Sequence, residues 1–189
     1  MIRIGILGNI GSGKSYVAKN FGYPVFNADY EVSKLYKKDK KIFKKLKKKL
    51  PKYISSFPIN KNEITKAILS NKVNLQKIIS IVHLEIRKLL KLFLKKNRNK
   101  KIIILDIPLL LENKINNKND ILVFVDSNKA DVEKRLKKRL NFNHKLIKRF
   151  RKIQFSSSYK KKKSNFIIKN NFKKKSLNKS IKKILNEIL

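Results

Sequence analysis

Residues 8–15 read Gly8-Asn9-Ile10-Gly11-Ser12-Gly13-Lys14-Ser15, a complete G-x-x-x-x-G-K-S phosphate-binding loop. Such a loop needs a buried strand before it and a helix opening after it, so that backbone N–H groups and the helix N-terminus converge on a polyphosphate. Both are in place: Ile2 to Leu7 is apolar, and Tyr16-Val17-Ala18-Lys19-Asn20-Phe21 has a helical pattern. The motif therefore implies a nucleoside triphosphate. Gly11, Ser12 and Gly13 and the backbone of Tyr16 would supply N–H groups, Lys14 would neutralise the β- and γ-phosphates, and Ser15 would hold Mg²⁺.

The rest of the chain fits an α/β sandwich. Five short apolar segments read as buried strands: Ile2 to Leu7, Pro24 to Ala28, Lys101 to Asp106, Ile121 to Asp126 and Phe166 to Lys169. They alternate with helical patterns and lack a clean two-residue polar alternation, which predicts a five-stranded parallel sheet covered on both faces in three layers. About 70 residues separate the second and third strands, too many for an ordinary crossover, so residues from about 30 to 100 should form a helical insertion. Its best segment runs from Leu75 to about Lys96, where Leu75, Ile78, Ile79, Val82, Ile86, Leu89, Leu90 and Phe93 form one stripe. A shorter helix uses Ile42, Phe43, Leu46 and Leu50, with Pro51 as its breaker. A second long connection, about 129 to 163, carries Val132, Leu136 and Leu140 on one helical face with Arg135 and Arg139 beside them. It passes into Gln154-Phe155-Ser156-Ser157-Ser158-Tyr159 and four lysines, which read as a mobile stretch. Leu177, Ile181, Ile184, Leu185 and Ile188 predict a C-terminal helix packed on the sheet, completing one domain over residues 1–189.

Composition removes several function classes. With no cysteine there is no disulfide framework, thiolate zinc site or cysteine nucleophile, and two histidines cannot build a three-histidine metal centre. The longest apolar block, Ile102 to Leu111, is broken by Asp106 and Pro108 and falls far short of the ~20 residues that span a bilayer, so the expectation is a soluble cytoplasmic protein. The 50 Lys+Arg against 12 Asp+Glu give a formal charge of +38. Because lysine is spread along almost every segment, together with frequent Asn and Ile, A+T-rich codon usage accounts for the excess more economically than a dedicated nucleic-acid face.

The loop alone does not separate GTPase, motor and kinase. Asn117-Lys118-Asn119-Asp120 matches the N-K-x-D guanine signature, yet it precedes a strand, whereas a base-reading loop follows one. No glycine occurs after Gly22, so the D-x-x-G switch is absent too. A small-molecule kinase remains, and it needs a carboxylate beside the acceptor hydroxyl. Asp29 ends the second strand where the insertion begins; capping of the next helix is its alternative role. Asp106 ends the third strand, the position of a carboxylate that holds Mg²⁺ directly or through water. Glu112 could be an N-terminal helix charge or part of the acceptor site.

These motifs, in this order, resemble the dephospho-CoA kinase family over essentially the whole chain. The loop at Gly8–Ser15, Asn27-Ala28-Asp29 in place of D-A-D, and Pro108-Leu109-Leu110-Leu111-Glu112 in place of P-L-L-x-E carry the resemblance, with Ile167-Ile168-Lys169-Asn170 similar to a late segment near the adenine. It implies ATP-dependent phosphorylation of the ribose 3′-hydroxyl of dephospho-CoA, the last step of coenzyme A synthesis, by a P-loop kinase with an acceptor-binding insertion and a lid. It further implies Asp29 as catalytic base and acceptor ligand, Lys14 and Arg139 in catalysis, and Arg135 and Asn170 toward ATP. His83, Pro108, Leu109 and Glu112 fall to the acceptor, and Ser15 and Asp106 to Mg²⁺. Four-residue spacing would put Arg135 and Arg139 on one helical face of the lid, where closure excludes water. The chain departs from the pattern at Asn27, at Ser33 for a usual arginine, at Leu84 for the proline after the histidine, and at Ser164-Asn165 for an alanine-aspartate pair. A monomer acting on a small molecule, with no specific nucleic-acid partner and no membrane, is the expectation. The competing readings are another nucleoside or nucleotide kinase of the same fold and a non-enzymatic basic module bound to RNA.

Overall fold

The structure is a computed structural model that describes residues 1–139 and 142–189. In chain order the described residues form β1 (Ile2–Gly8), α1 (Lys14–Asn20), β2 (Val25–Asn27), α2 (Ala28–Lys38), α3 (Lys40–Lys49), α4 (Lys61–Ser70) and α5 (Lys72–Lys96). They continue with β3 (Ile102–Asp106), β4 (Ile121–Asp126), α6 (Lys129–Lys137), α7 (His144–Ile153), α8 (Ser157–Lys162), β5 (Phe166–Lys169) and α9 (Lys174–Ile188). All five predicted strands are present within a residue or two of their expected ends.

Two compact units result: residues 1–27, 97–143 and 150–189, and residues 28–96 and 144–149. The first is built on a single sheet of order β2-β3-β1-β4-β5, every pair parallel. β1 is central, flanked by β3 and β4, and the chain leaving its carboxyl end enters the phosphate-binding loop; this is the crevice where open α/β sheets bind ligands. All five residues of β3 are buried, as expected of a strand covered on both faces. Ile4, Ile6, Ile102, Ile104, Val123 and Val125 form a core with Val17 and Ala18 of α1 and with Leu177, Ile181 and Ile184 of α9. Each large aliphatic side chain so buried contributes about 1.5–3 kcal/mol of transfer free energy.

The second unit is helical. α5 buries Leu75, Ile78, Val82, Ile86 and Leu90 at three- and four-residue steps, the stripe expected from the sequence. α3 buries Ile42 and Leu46, and its N-terminus is capped by the Asp39 carboxylate, which accepts from the N–H groups of Lys41 and Ile42 at 2.8 and 3.0 Å.

Two expectations are corrected. The stretch from Gln154 through the lysine run is not loop throughout: Ser156 caps α8 by accepting the Tyr159 N–H at 3.2 Å, and Lys160 is buried. α6 ends at Lys137 with Lys138 at its C-cap, so Arg135 lies on the helix and Arg139 beyond it, and the two do not share a helical face. Leu140, expected on the same face, lies outside the described residues. No described helix is long and apolar enough to cross a membrane.

Candidate active site

The phosphate-binding loop is shaped by its own backbone and by struts from the ends of two strands, β4 and β5. Gly13 has φ +88°, and a Cβ there would meet Asn170 Nδ2 at 2.5 Å, so both the conformation and the close approach require glycine. The Ser12 carbonyl accepts from Asn170 Nδ2 at 2.9 Å and from Ser127 Oγ at 2.8 Å. Asn170 is 4% exposed and accepts the Phe172 N–H through Oδ1 at 3.0 Å, so it braces the loop. Lys14 Nζ donates to the Gly8 and Asn9 carbonyls at 3.1 and 2.9 Å, which folds its stem along the loop. Ser12 is 2% exposed, and its hydroxyl is buried beside Gly8 with no hydrogen-bond partner.

Ser15 and Tyr16 are exposed at the start of α1, and Gly11 lies against Val132 and Leu136 of α6. The Arg135 guanidinium stacks 4.1 Å from the centre of the Phe172 ring, two residues past the Asn170 brace, which brings α6 to the loop. Asp126, Ser127, Asn128, Lys169 and Asn170 line an open cleft of about 390 Å³ at the carboxyl ends of β4 and β5. Arg139 is exposed beyond the end of α6.

Asp106 stands at the carboxyl end of β3, only 2% exposed, in register with Asn27 of β2. Asn27 Nδ2 donates to Asp106 Oδ2 at 2.5 Å. The hydroxyl of Ser15 and the carboxylate of Asp106 are hard oxygen donors of the type Mg²⁺ takes together with phosphate oxygens and water, so the donor set fits that ion. Among the described residues no group of three or more acidic, histidine or cysteine side chains forms a metal cluster.

Of the two expectations for Glu112, the residues after β3 correct the helix charge. Pro108 to Lys114 forms turns rather than a helix, with Leu109 at φ +58°, so Glu112 is not a helix charge. Its Oε1 accepts the Phe155 N–H at 2.8 Å and lies 3.0 Å from Lys160 Nζ. Leu110 packs on Gly5 so closely that a Cβ there would sit 2.7 Å from Leu110 Cδ2.

Asp29 and His83 belong to the helical unit. Asp29 is the second residue of α2, exposed and inside the first turn rather than at the cap, two residues along the chain from Asn27. His83 is half-buried on α5; burial lowers its pKa below the ordinary value and the neighbouring Arg87 cation lowers it further.

The sequence reading missed Asn27 as a partner of Asp106, Ser127 and Phe172 as supports of the loop, and Lys160 as a buried cation. Only Ser127 carried a signal, its place just past the end of a strand that neighbours the loop strand. The rejection of Asn117–Asp120 as a guanine site stands on geometry: Asp120 precedes β4, at the opposite sheet edge from the loop, and is ion-paired with Arg3 at 2.8 Å.

The family model described as dephospho-CoA kinase matches residues 2–176. A dephospho-CoA kinase of Wolbachia sp. subsp. Brugia malayi (strain TRS) is 32% identical over 190 residues, covering 98% of this chain and 97% of that protein. The one from Wolbachia pipientis wMel is 33% identical over 190 residues, with the same coverage of 98% and 97%. Among solved structures, a Thermus thermophilus protein matches with a TM-score of 0.81 at 25% identity, over 100% of this chain and 98% of that one. A shikimate kinase from Bacteroides thetaiotaomicron matches with a TM-score of 0.52 at 13% identity, over 99% and 98%, a likeness of fold.

Proposed function

The chain belongs to the dephospho-CoA kinase family, and from that we propose how its side chains divide the work of phosphorylating the ribose 3′-hydroxyl of dephospho-CoA with ATP. The observation that supports the reading best is the preformed loop, whose Ser12 carbonyl is braced from β4 and β5 while the Ser12 hydroxyl is left buried and unpaired. A loop built before its ligand arrives costs little reorganisation on binding, the condition for electrostatic stabilisation of a transferring phosphoryl group.

Lys14, already lying along the loop, neutralises the β- and γ-phosphates, and the backbone N–H groups of Gly11 to Tyr16 cradle them. The cleft at the ends of β4 and β5 takes the nucleoside of ATP, with Arg135 over its approach. Mg²⁺ held through Ser15 and Asp106 would supply charge neutralisation between the phosphates. Asp29 accepts the proton of the acceptor hydroxyl. Arg139, on the stretch read as a lid over about 129–163, adds positive charge on closure and helps exclude water, the competing acceptor. The insertion of about residues 30–100 is the acceptor side, with His83, neutral at physiological pH, among its contacts. The reading extends to a monomer in the cytoplasm with no specific nucleic-acid partner, supported by the even spread of lysine along the chain.

Purified protein given ATP, Mg²⁺ and a panel of acceptors tests this. Production of coenzyme A from dephospho-CoA, identified by mass and by the position of the new phosphate, is the expected result. Preferred turnover of a nucleoside monophosphate, or tight RNA binding independent of ATP in the absence of turnover, would replace it.

A further inference from the structure

The run Lys160–Lys163 looks from composition like a solvated stretch, and Lys162 and Lys163 are indeed exposed. Lys160 is different: its side chain is 3% exposed and its ammonium lies 3.0 Å from Glu112, whose side chain is 8% exposed. Desolvating both ions is costly, and an apolar pair of the same volume would stabilise the fold at least as well. What a paired, hydrogen-bonded charge adds is a fixed geometry, and here the Phe155 N–H completes it on the same carboxylate oxygen.

The short helix α8 that carries Lys160 is tied down on two further sides. Its first residue, Ser157, accepts Asn9 Nδ2 of the phosphate-binding loop at 2.7 Å, and Lys161 pairs with Asp126 at the end of β4 at 2.8 Å. The segment that carries Glu112 is likewise pinned at a second point, by Leu110 against Gly5. The Lys160–Glu112 pair thus joins the turn after β3 to a helix in contact with the loop that holds the phosphates.

We infer that Lys160 is a positioning residue for phosphoryl transfer, and that Glu112 serves the reaction by pairing with it rather than by touching the acceptor. The pair fixes Pro108–Leu111 and α8 to one frame with the phosphate-binding loop. Its effect on turnover rests on the kinase reading above; its effect on local order does not.

A double-mutant cycle on the full chain separates the possibilities. Lys160→Met, Glu112→Met and the double variant are compared with the parent well below each melting temperature, where all are folded. Each single change is expected to lower kcat by about tenfold or more with ATP KM within about threefold, since the loop itself is intact. The double variant should be no worse than the poorer single one, and Lys160→Arg should recover most of the loss. In parallel, hydrogen exchange at Phe155 and across 108–112 should quicken at least about tenfold in Lys160→Met while β1 is unchanged.

Four results would overturn the inference: losses that multiply in the double variant, unchanged kcat with only a lower melting temperature, unchanged exchange at both segments, or a raised acceptor KM in Glu112→Met alone. The last would make Glu112 an acceptor ligand. A parent with no turnover of dephospho-CoA would sink the kinase reading instead, and exchange would still decide whether the pair orders the two segments.

Discussion

Asn27 and Asp106 face each other at the carboxyl edge of β2 and β3, joined by a hydrogen bond of 2.5 Å from the amide to the carboxylate. The family pattern has an acid at the first of these positions, and the amide here leaves one charge where there would be two.

Asn27→Asp therefore sets two carboxylates against each other, and they cannot both ionise at that separation without a strongly raised pKa for one. The variant is expected to be about 1–3 kcal/mol less stable at pH 8 and to regain much of that by pH 5.5, where one proton is shared. Melting temperatures of parent and variant at the two pH values check this; an equal difference at both would deny the pairing its role.

Gly13→Ala forces a Cβ onto a backbone at φ +88° and against Asn170 Nδ2 at 2.5 Å. Left-handed strain alone costs about 1–2 kcal/mol, and displacing the Asn170 brace opens the loop. Stability should fall by that order and ATP affinity by more than tenfold, read by denaturant unfolding and by titration with a non-hydrolysable analogue.

Lys14→Ala removes a charge aimed at the transferring group while leaving the sheet and its core untouched. Turnover is expected to fall about 10²-fold or more, because the interaction is stronger in the transition state than in the ground state. Turnover within a few-fold of the parent would remove Lys14 from the chemistry.

Asp29→Asn keeps the size of the side chain but cannot accept a proton. A carboxylate in the first turn of α2 is worth only about 0.3–1 kcal/mol to the helix, so the melting temperature and ATP affinity should change little. Turnover should drop by about 10²–10⁴ if Asp29 is the base. Loss of stability in proportion to loss of activity would assign Asp29 to the helix instead.

His83 gives a pH dependence of defined sign. Burial and the Arg87 cation disfavour its protonated form in the folded chain, so the unfolded chain binds more protons as pH falls through the ordinary histidine value of about 6.5. The histidine's contribution to stability is fully present above that value and declines below it. A melting curve series from about pH 7.5 to 5 should therefore fall less steeply for His83→Gln than for the parent; parallel curves would show that His83 does not carry the slope.

Local chemistry determined much of this protein before any tertiary contact. The eight residues of the phosphate-binding loop, the apolar runs of the five strands and the stripe on α5 each encode their own structure, because backbone conformation and burial periodicity are written into neighbouring positions. Asp106 was legible as a candidate for the same reason, since it ends a strand; Asp29 was read the same way, although β2 ends at Asn27 and Asp29 lies in the first turn of α2. What tertiary structure alone decided are the pairings between residues far apart in the chain. Nothing near Lys160 distinguishes it from three identical neighbours, nothing near Glu112 says that a lysine 48 positions later will hold it, and nothing near Asn170 says that its amide will brace Ser12. Sequence patterns report what a residue prefers locally, whereas burial of a charge or the use of an amide as a brace depends on which distant strand end the fold brings alongside.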